Sequence, residues 1–361
     1  MAQTHVHFLI HMTGPVEGWA FREPLERGEK ELLRTADGGR HWRNVTPPTS
    51  FGQDIFEPSV LTSRITWVEL CRPRRVVGTG AVNSCELVHT VDGGRNWKHL
   101  ASLPNPEGSL AFIDARHGWL MIATPAAGSE NTWIHRTTDG GRTWVEVASA
   151  TYRSQASGLP FGGDKSDIAF VTSMAGWVTG YTVGCNFGTY LYVTHNGGQT
   201  WRQQKLPVPT QMAAHRNEST TGPTFFSARD GVLPVSISFS VKDEYCEGGK
   251  TVSIFYATHD GGVTWKYTTP VMVRSGNRKP PASFADMNHG WVTEGNTLFR
   301  TTNGGLQWTS IPLPSAFVNI KHLDFVSPRL GWATRETAPF LLKTVDGGHT
   351  WAPLPFTISR P

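Results

Sequence analysis

The chain has 361 residues; 38% are hydrophobic, only 17% are charged, and it contains 38 Gly, 24 Pro and 14 Trp. This composition matches a globular core and excludes wholesale disorder, and it favours short strands joined by tight turns over a helical bundle. The formal net charge of +4 gives no support for nucleic-acid binding. No apolar run is long enough to span a membrane.

An octapeptide with the pattern T-x-[DN]-G-G-x-x-W recurs seven times. Consecutive closing tryptophans are 43 to 64 residues apart, and the shortest spacing sets the basic unit. Repetition at a period of roughly 40–50 residues is typical of propeller blades. The copies are TADGGRHW (Thr35 to Trp42), TVDGGRNW (Thr90 to Trp97), TTDGGRTW (Thr137 to Trp144), THNGGQTW (Thr194 to Trp201), THDGGVTW (Thr258 to Trp265), TTNGGLQW (Thr301 to Trp308) and TVDGGHTW (Thr344 to Trp351).

The sequence around each octapeptide predicts four strands. In chain order these are an apolar run, a second run that opens with Gly-Trp, a third run that ends at the octapeptide, and a short fourth run after it. Four strands in each of seven repeats predict one all-β domain, a seven-bladed β-propeller of four-stranded antiparallel blades. The blades are expected at residues 5–47, 58–102, 109–149, 166–206, 223–269, 282–312 and 320–356.

The octapeptides are predicted to be structural turns. Their Asp or Asn oxygen can accept turn N–H groups, and the glycine pair adopts conformations closed to other residues. The motif resembles the Asp-box, or BNR repeat, of sialidases, sortilin-type receptors and xyloglucanases. No further carboxylate follows at calcium-ligand spacing, so neither a metal nor another cofactor is predicted. The residues given this structural role are Asp37, Asp92, Asp139, Asn196, Asp260, Asn303 and Asp346.

Long connections are predicted on the propeller face opposite the octapeptides. This face should carry the links from second to third strands and those from one blade to the next. Long loops collected on one face are typical of a working surface, and solvated loops without a role are the alternative. The segments are 22–31, 71–86, 180–189 and 239–250 within blades, and 47–59, 148–167, 206–224 and 269–283 between blades.

The four cysteines all lie in these predicted loops. We expect disulfides between Cys71 and Cys85 and between Cys185 and Cys246; the first would close about 15 residues and contribute on the order of 3 kcal/mol. Four reduced, buried thiols are the alternative. Disulfides indicate an oxidising compartment, so we expect a secreted or cell-envelope protein, although the first residues lack the features of a signal peptide.

The same face gathers basic residues. Such a rim could bind the carboxylates of a sugar acid or of an acidic protein segment, and solvated charge without a partner is the alternative. No two carboxylates can be shown to converge from spacing, so no catalytic pair is predicted. The candidate binding residues are Arg22, Arg72, Arg74, Arg75, Arg216, Arg274, Arg278 and Lys279.

Two segments, Phe112 to Trp119 and Arg136 to Trp144, resemble the photosystem II stability/assembly factor-like propellers most closely. The resemblance covers nearly the whole chain. It implies a non-catalytic, extracytoplasmic propeller that acts as a binding or assembly platform, and we expect a monomer with a protein or glycan partner. A photosystem role does not follow. An arginine-rich patch belongs to that family, and Arg72, Arg74 and Arg75 are its nearest equivalent here.

A carbohydrate-active enzyme is the competing interpretation. Phe21-Arg22-Glu23-Pro24 resembles the F-R-I-P motif of sialidases, which implies that Arg22 would bind a substrate carboxylate. The motif departs at its third position, and sialidases have six blades rather than seven. Another glycan hydrolase or lyase is the remaining enzymatic alternative.

Overall fold

The protein is built from β-strands. The computed structural model describes residues 6–24, 29–48, 54–72, 85–103, 108–124, 128–182, 189–212, 216–239, 250–273, 280–317, 319–335 and 340–359. The helical segments in these ranges are two single-turn 3-10 helices, Thr210–Met212 and Ser315–Phe317. Neither has the length or the apolar character that crossing a membrane would require.

Blades 1 to 3 follow one another along the first part of the chain. Their strands are β1 (Val6–Met12), β2 (Gly18–Pro24), β3 (Glu31–Thr35) and β4 (His41–Asn44); β5 (Asp54–Ile55), β6 (Ser59–Val60), β7 (Thr66–Cys71), β8 (Cys85–Thr90) and β9 (Lys98–Leu103); and β10 (Gly108–Phe112), β11 (Gly118–Thr124), β12 (Asn131–Thr137) and β13 (Val145–Ala150).

Blades 4 to 7 repeat the pattern. Their strands are β14 (Asp164–Phe170), β15 (Gly176–Tyr181), β16 (Leu191–Thr194) and β17 (Arg202–Gln203); β18 (Arg216–Thr220), β19 (Thr224–Phe225), β20 (Gly231–Phe239), β21 (Lys250–Thr258), β22 (Lys266–Tyr267) and β23 (Val271–Val273); β24 (Ala282–Phe284), β25 (Gly290–Glu294), β26 (Thr297–Thr301) and β27 (Thr309–Pro312); and β28 (Ile320–Phe325), β29 (Gly331–Arg335), β30 (Phe340–Thr344) and β31 (Ala352–Pro355), followed by β32 (Thr357–Ser359).

The predicted all-β propeller of four-stranded antiparallel blades is confirmed. The described strands divide into seven units, each with one octapeptide between its third and fourth strands, which is consistent with seven blades. In blade 2 the first strand is split into β5 and β6. Blades 4 and 5 are joined into one ten-stranded sheet, in which Tyr181 pairs with Ser219.

The Gly-Trp pair that opens each second strand explains how blades pack. A Cβ atom at Gly118 would lie 2.6 Å from the Phe112 ring, so only glycine lets that ring lie flat on the strand. The following Trp119 is fully buried and stacks on Phe170 of the next blade, with centroids 3.6 Å apart. The repeated motif therefore builds the interface between neighbouring blades.

The indole N–H of these tryptophans also joins neighbouring blades. Trp119 Nε1 donates to the carbonyl of Gly197, in the octapeptide of the next blade, at 3.0 Å. Trp67 and Trp291 make the same bond to Gly140 and Gly347.

The same contact closes the ring, because Trp332 of blade 7 donates to the carbonyl of Gly38 in blade 1 at 3.0 Å. Beside it, Asp324 accepts the Met12 N–H and His322 Nε2 donates to the Ile10 carbonyl at 2.7 Å. The C-terminal β32 then pairs parallel with β4 as a fifth strand at the outer edge of blade 1. The sequence pattern gave no sign of this added strand.

Candidate functional site

The octapeptide aspartates accept hydrogen bonds from groups of their own turns. In blade 3, Asp139 Oδ1 accepts the N–H groups of Arg142 and Thr143, each at 3.0 Å, and the hydroxyl of Thr137 at 2.8 Å. The Thr137 hydroxyl in turn accepts the Gly141 N–H at 2.9 Å. Desolvation raises the pKa of Asp139, but these bonds outweigh it and lower the pKa to about 2.

The other six copies are built in the same way. Each Asp or Asn accepts the hydroxyl of the threonine two residues earlier and the N–H four residues later. The residues concerned are Asp37, Asp92, Asn196, Asp260, Asn303 and Asp346.

A central channel runs through the ring of first strands, lined by two layers of residues. The lower ring, nearer the octapeptides, comprises the residues directly opposite the second-strand Trp, or Val232 in blade 5: His11, Ser59, Ala111, Ala169, Thr224, Ser283 and Asp324. The upper ring comprises the residues two positions earlier: Leu9, Glu57, Ser109, Asp167, Gly222, Pro281 and His322.

Four cavities follow one another along these rings and share lining residues. The largest of these four has a volume of about 620 Å³ and is lined by Glu57, Asp167 and His322 together with apolar side chains such as Leu9 and Leu110. Glu57 and Asp167 also line a neighbouring cavity of about 450 Å³ at the loop end. A volume in this range suits a small ligand or a short chain segment, so the loop end of the channel is the candidate site.

Asp167 is held in place by the blades around it. Its Oδ1 accepts the Ser109 hydroxyl from blade 3 and the N–H of Ile168, both at 2.8 Å. Its Oδ2 accepts the Gly222 N–H at 3.1 Å. These three hydrogen bonds, from blades 3, 4 and 5, fix the position of the Asp167 carboxylate in the channel wall.

Glu57 has a different environment. Burial raises its pKa, and the negative charges of Asp167 and Glu23 raise it further. Within the described ranges its carboxylate accepts no hydrogen bond. Glu57 is therefore a carboxylate in a negative environment that a cationic group would stabilise.

The lower ring of the channel supports the ring closure. Ser59 and Ser283 accept the backbone N–H of Phe112 and Phe325 in the following blades, at 3.0 and 2.9 Å. Asp324 plays the same role toward Met12, and burial raises its pKa to about 7 against the opposing effect of that hydrogen bond. Burial lowers the pKa values of His11 and His322 nearby.

The predicted basic rim is only partly within the described residues. Arg22 forms an ion pair with Glu31, so the proposed sialidase-like arginine is already engaged with a carboxylate of its own blade. Arg72 directly follows β7 and is exposed. The backbone of Arg216 begins β18, but its side chain is not described. The remaining predicted residues lie outside the described residues: Arg74, Arg75, Arg274, Arg278 and Lys279.

Described carboxylates also lie at the loop end. Lys30 bridges Glu23 and Asp54 at 3.1 and 3.2 Å. Glu57 and Asp167 add two further carboxylates at the channel entrance.

Cys71 and Cys85 form a disulfide. They lie directly opposite each other in the last pair between β7 and β8, at the loop end of blade 2. Glu69 lies beside them, but sulfurs joined in a disulfide are not available as metal ligands. Cys185 and Cys246 lie outside the described residues, so their pairing stays a prediction.

The connection between blades 3 and 4 is held by hydrogen bonds and contributes a buried side chain to the core. The Lys165 ammonium donates to the carbonyls of Phe161 and Gly163 at 3.0 and 2.9 Å, and its backbone N–H donates to Glu130 at 2.8 Å. Burial lowers the pKa of Lys165 to about 8. Leu159 from the same connection is fully buried. This long segment, predicted as part of a working surface, is thus partly core.

Sequence reasoning missed Glu57, His322 and Asp324. The signal lay in comparing blades with each other, because Ala111 and Ala169 occupy the position that Asp324 holds in blade 7. A charged residue where sister blades have alanine marks a local departure from the scaffold.

The fold and its channel together define a β-propeller whose candidate site lies at the loop end of the channel. No family model matches the sequence. Among solved structures, YCF48 bound to D1 peptide matches 95% of this chain and 94% of its own, with a TM-score of 0.55 and 16% identity. YCF48 is a photosystem II assembly factor, so the predicted resemblance is confirmed at the level of the fold.

Glycan hydrolases share the same fold. The GH74 xyloglucanase from Xanthomonas campestris matches 99% of this chain and 54% of its own, with a TM-score of 0.60 and 13% identity. Xyloglucanase Xgh74A from Acetivibrio thermocellus is 24% identical over 197 residues, which is 47% of this chain. The match spans only 22% of that enzyme.

Proposed function

We propose that the chain is a non-catalytic binding propeller that holds a segment of a protein partner at the loop end of its channel, in an assembly or scaffold role outside the cytoplasm. The observation that supports it is Glu57, whose carboxylate accepts no hydrogen bond in the described part of the chain and lines a cavity with many apolar side chains. A wall of apolar side chains with the two carboxylates of Glu57 and Asp167 fits a short chain segment that carries a lysine or arginine. The fold shared with YCF48, which has been solved with a bound peptide, supports the same interpretation.

Site-specific photo-crosslinking tests this function. A photoreactive amino acid at Thr221, which lines the loop-end cavities, should capture one protein segment in the native host. The same group at Val145, exposed on the outer strand of blade 3, is the matched control and should not. Glu57→Lys should abolish capture at Thr221. Equal capture at both positions, or capture that Glu57→Lys leaves unchanged, would contradict the proposal.

Glycan hydrolysis is the second candidate. Glu57, whose pKa is raised, lines the same cavities as the hydrogen-bonded Asp167, and glycosidases use a carboxylic acid together with a second carboxylate. Purified protein incubated with xyloglucan, arabinan and oligogalacturonate should release no sugar on the binding interpretation. Release that Glu57→Gln and Asp167→Asn each abolish would establish the enzyme.

A further inference from the structure

Both kinds of hairpin turn lie at one end of the propeller, which we call the turn face. In every blade the N–H of the first octapeptide glycine donates to a carbonyl in the turn between first and second strands, at 2.8 to 3.0 Å. The seven pairs are Gly38 with Val16, Gly93 with Arg64, Gly140 with Arg116, Gly197 with Met174, Gly261 with Arg229, Gly304 with Asn288, and Gly347 with Arg329.

The turn face exposes apolar side chains that the scaffold does not use. Their exposed fractions are 49 to 68%, and they are spread over blades 1, 2, 4, 5, 6 and 7. Other blades carry Arg, Gln or His at the corresponding positions, so turn geometry does not require apolar residues there. The side chains are those of Val16, Val91, Met174, Val263, Leu306 and Val345.

The same face carries exposed arginines, seven of them within the turns themselves, beside the octapeptide aspartates. None of these seven forms an ion pair with a carboxylate in the part of the chain that the structure describes. Three are aimed alike, because Arg116, Arg229 and Arg329 each donate through Nε to the carbonyl before the octapeptide Asp, at 3.2 to 3.3 Å. The seven residues are Arg40, Arg64, Arg95, Arg116, Arg142, Arg229 and Arg329.

We propose that the turn face docks on the surface of an anionic lipid bilayer. Apolar side chains that enter the boundary between headgroups and acyl chains, beside arginines that pair with lipid phosphates, are the two contributions that hold a protein on such a surface. The tips belong to separate turns arranged around a ring, so a planar partner contacts them together, whereas a peptide would reach only a few. A nucleic acid would engage the arginines and gain little from leucine and valine.

Sedimentation with lipid vesicles tests the proposal. The full chain should bind vesicles of phosphatidylcholine with about 30% phosphatidylglycerol at low salt, and binding should weaken as salt rises. The double variant Val263→Ser/Leu306→Ser should bind about tenfold more weakly, since each lost apolar group removes part of the insertion energy. Arg64→Glu/Arg116→Glu should remove the preference for phosphatidylglycerol.

Matched control variants are Tyr152→Ser and Arg153→Glu, two exposed residues in the connection between blades 3 and 4. They should bind as the wild type does, and unchanged circular dichroism should show that every variant is folded. Failure of the wild type to sediment, or turn-face variants that bind like the controls, would overturn the proposal. So would equal binding to a single-stranded oligonucleotide that Val263→Ser/Leu306→Ser does not weaken, because the partner would then be a soluble polyanion.

Discussion

The two ends of the propeller are built on different principles. At the turn face the same hydrogen bonds recur in all seven blades, from the glycine N–H to a turn carbonyl and from the threonine hydroxyl to Asp or Asn. At the loop end each blade differs: blade 2 has a disulfide, and the link from blade 3 to blade 4 is held by Lys165. Repetition therefore identifies the scaffold, and departures from it identify candidate sites.

The largest expected effect concerns the repeated contacts at the turn face. Trp332→Ala should lower the free energy of unfolding by about 3–5 kcal/mol, because a fully buried ring and its bond to Gly38 across the ring closure are lost. Trp133→Ala, at a half-buried position in β12, should cost clearly less. Urea denaturation followed by circular dichroism measures the free energy of unfolding of both variants. Equal losses would show that the closure contact of Trp332 contributes no more than the half-buried Trp133.

The loop end offers a stabilising contact of another kind. With Cys185 and Cys246 replaced by serine in both proteins, Cys71→Ser/Cys85→Ser should lose roughly 2–4 kcal/mol, since the bond restricts the unfolded chain. Reductant should shift the denaturation midpoint of the parent by a similar amount and leave the variant unchanged. A parent indifferent to reductant would contradict the expected contribution.

The octapeptides allow a finer comparison. Asp139→Ala should cost about 1–3 kcal/mol, because the N–H groups of Arg142 and Thr143 lose their acceptor. Asp139→Asn should cost less than about 1 kcal/mol, since Asn196 serves the same turn in blade 4. Thermal denaturation ranks the two variants. If they are equally damaging, charge rather than the hydrogen-bond acceptor holds the turn.

A further comparison is a pH dependence at the ring closure. The pKa of Asp324 rises from 3.8 to about 7 on folding, so the folded protein binds more protons than the unfolded chain in that interval. The contribution of Asp324 to the free energy of unfolding therefore falls as the pH rises from 3.8 to about 7. His11 and His322, with lowered pKa values, act in the opposite direction below about pH 6.5.

Asp324→Asn should isolate this contribution. The amide oxygen can still accept the Met12 N–H, and the ionisation is gone. The difference in melting temperature, variant minus wild type, should increase between pH 4 and pH 7.5. A difference that stays constant with pH would show that Asp324 does not titrate in this interval.

Much of the fold could be predicted because the octapeptide and the Gly-Trp pair repeat. Thr137, Asp139 and Gly141 form a turn through local bonds, so their spacing in sequence is enough to predict it. The added strand β32 could not be predicted, because its three residues pair with β4 at the opposite end of the chain.

The candidate site could be predicted only in outline. Position on the first strand brings Glu57 and Asp167 into one cavity, yet they come from blades 2 and 4 and share no motif. The arginines picked from the loops illustrate the opposite problem: Arg22 looked available in sequence and is paired with Glu31 in the fold. Convergence across blades depends on the register of whole sheets, which local patterns do not specify.

The binding site is tested most directly with the partner segment captured at Thr221, prepared as a synthetic peptide. Its affinity is measured for the wild-type protein and for Glu57→Lys. Glu57→Lys should weaken binding at least about tenfold at unchanged melting temperature, because an attractive charge becomes repulsive. An affinity that Glu57→Lys leaves unchanged would contradict the placement of the binding site at the loop end of the channel.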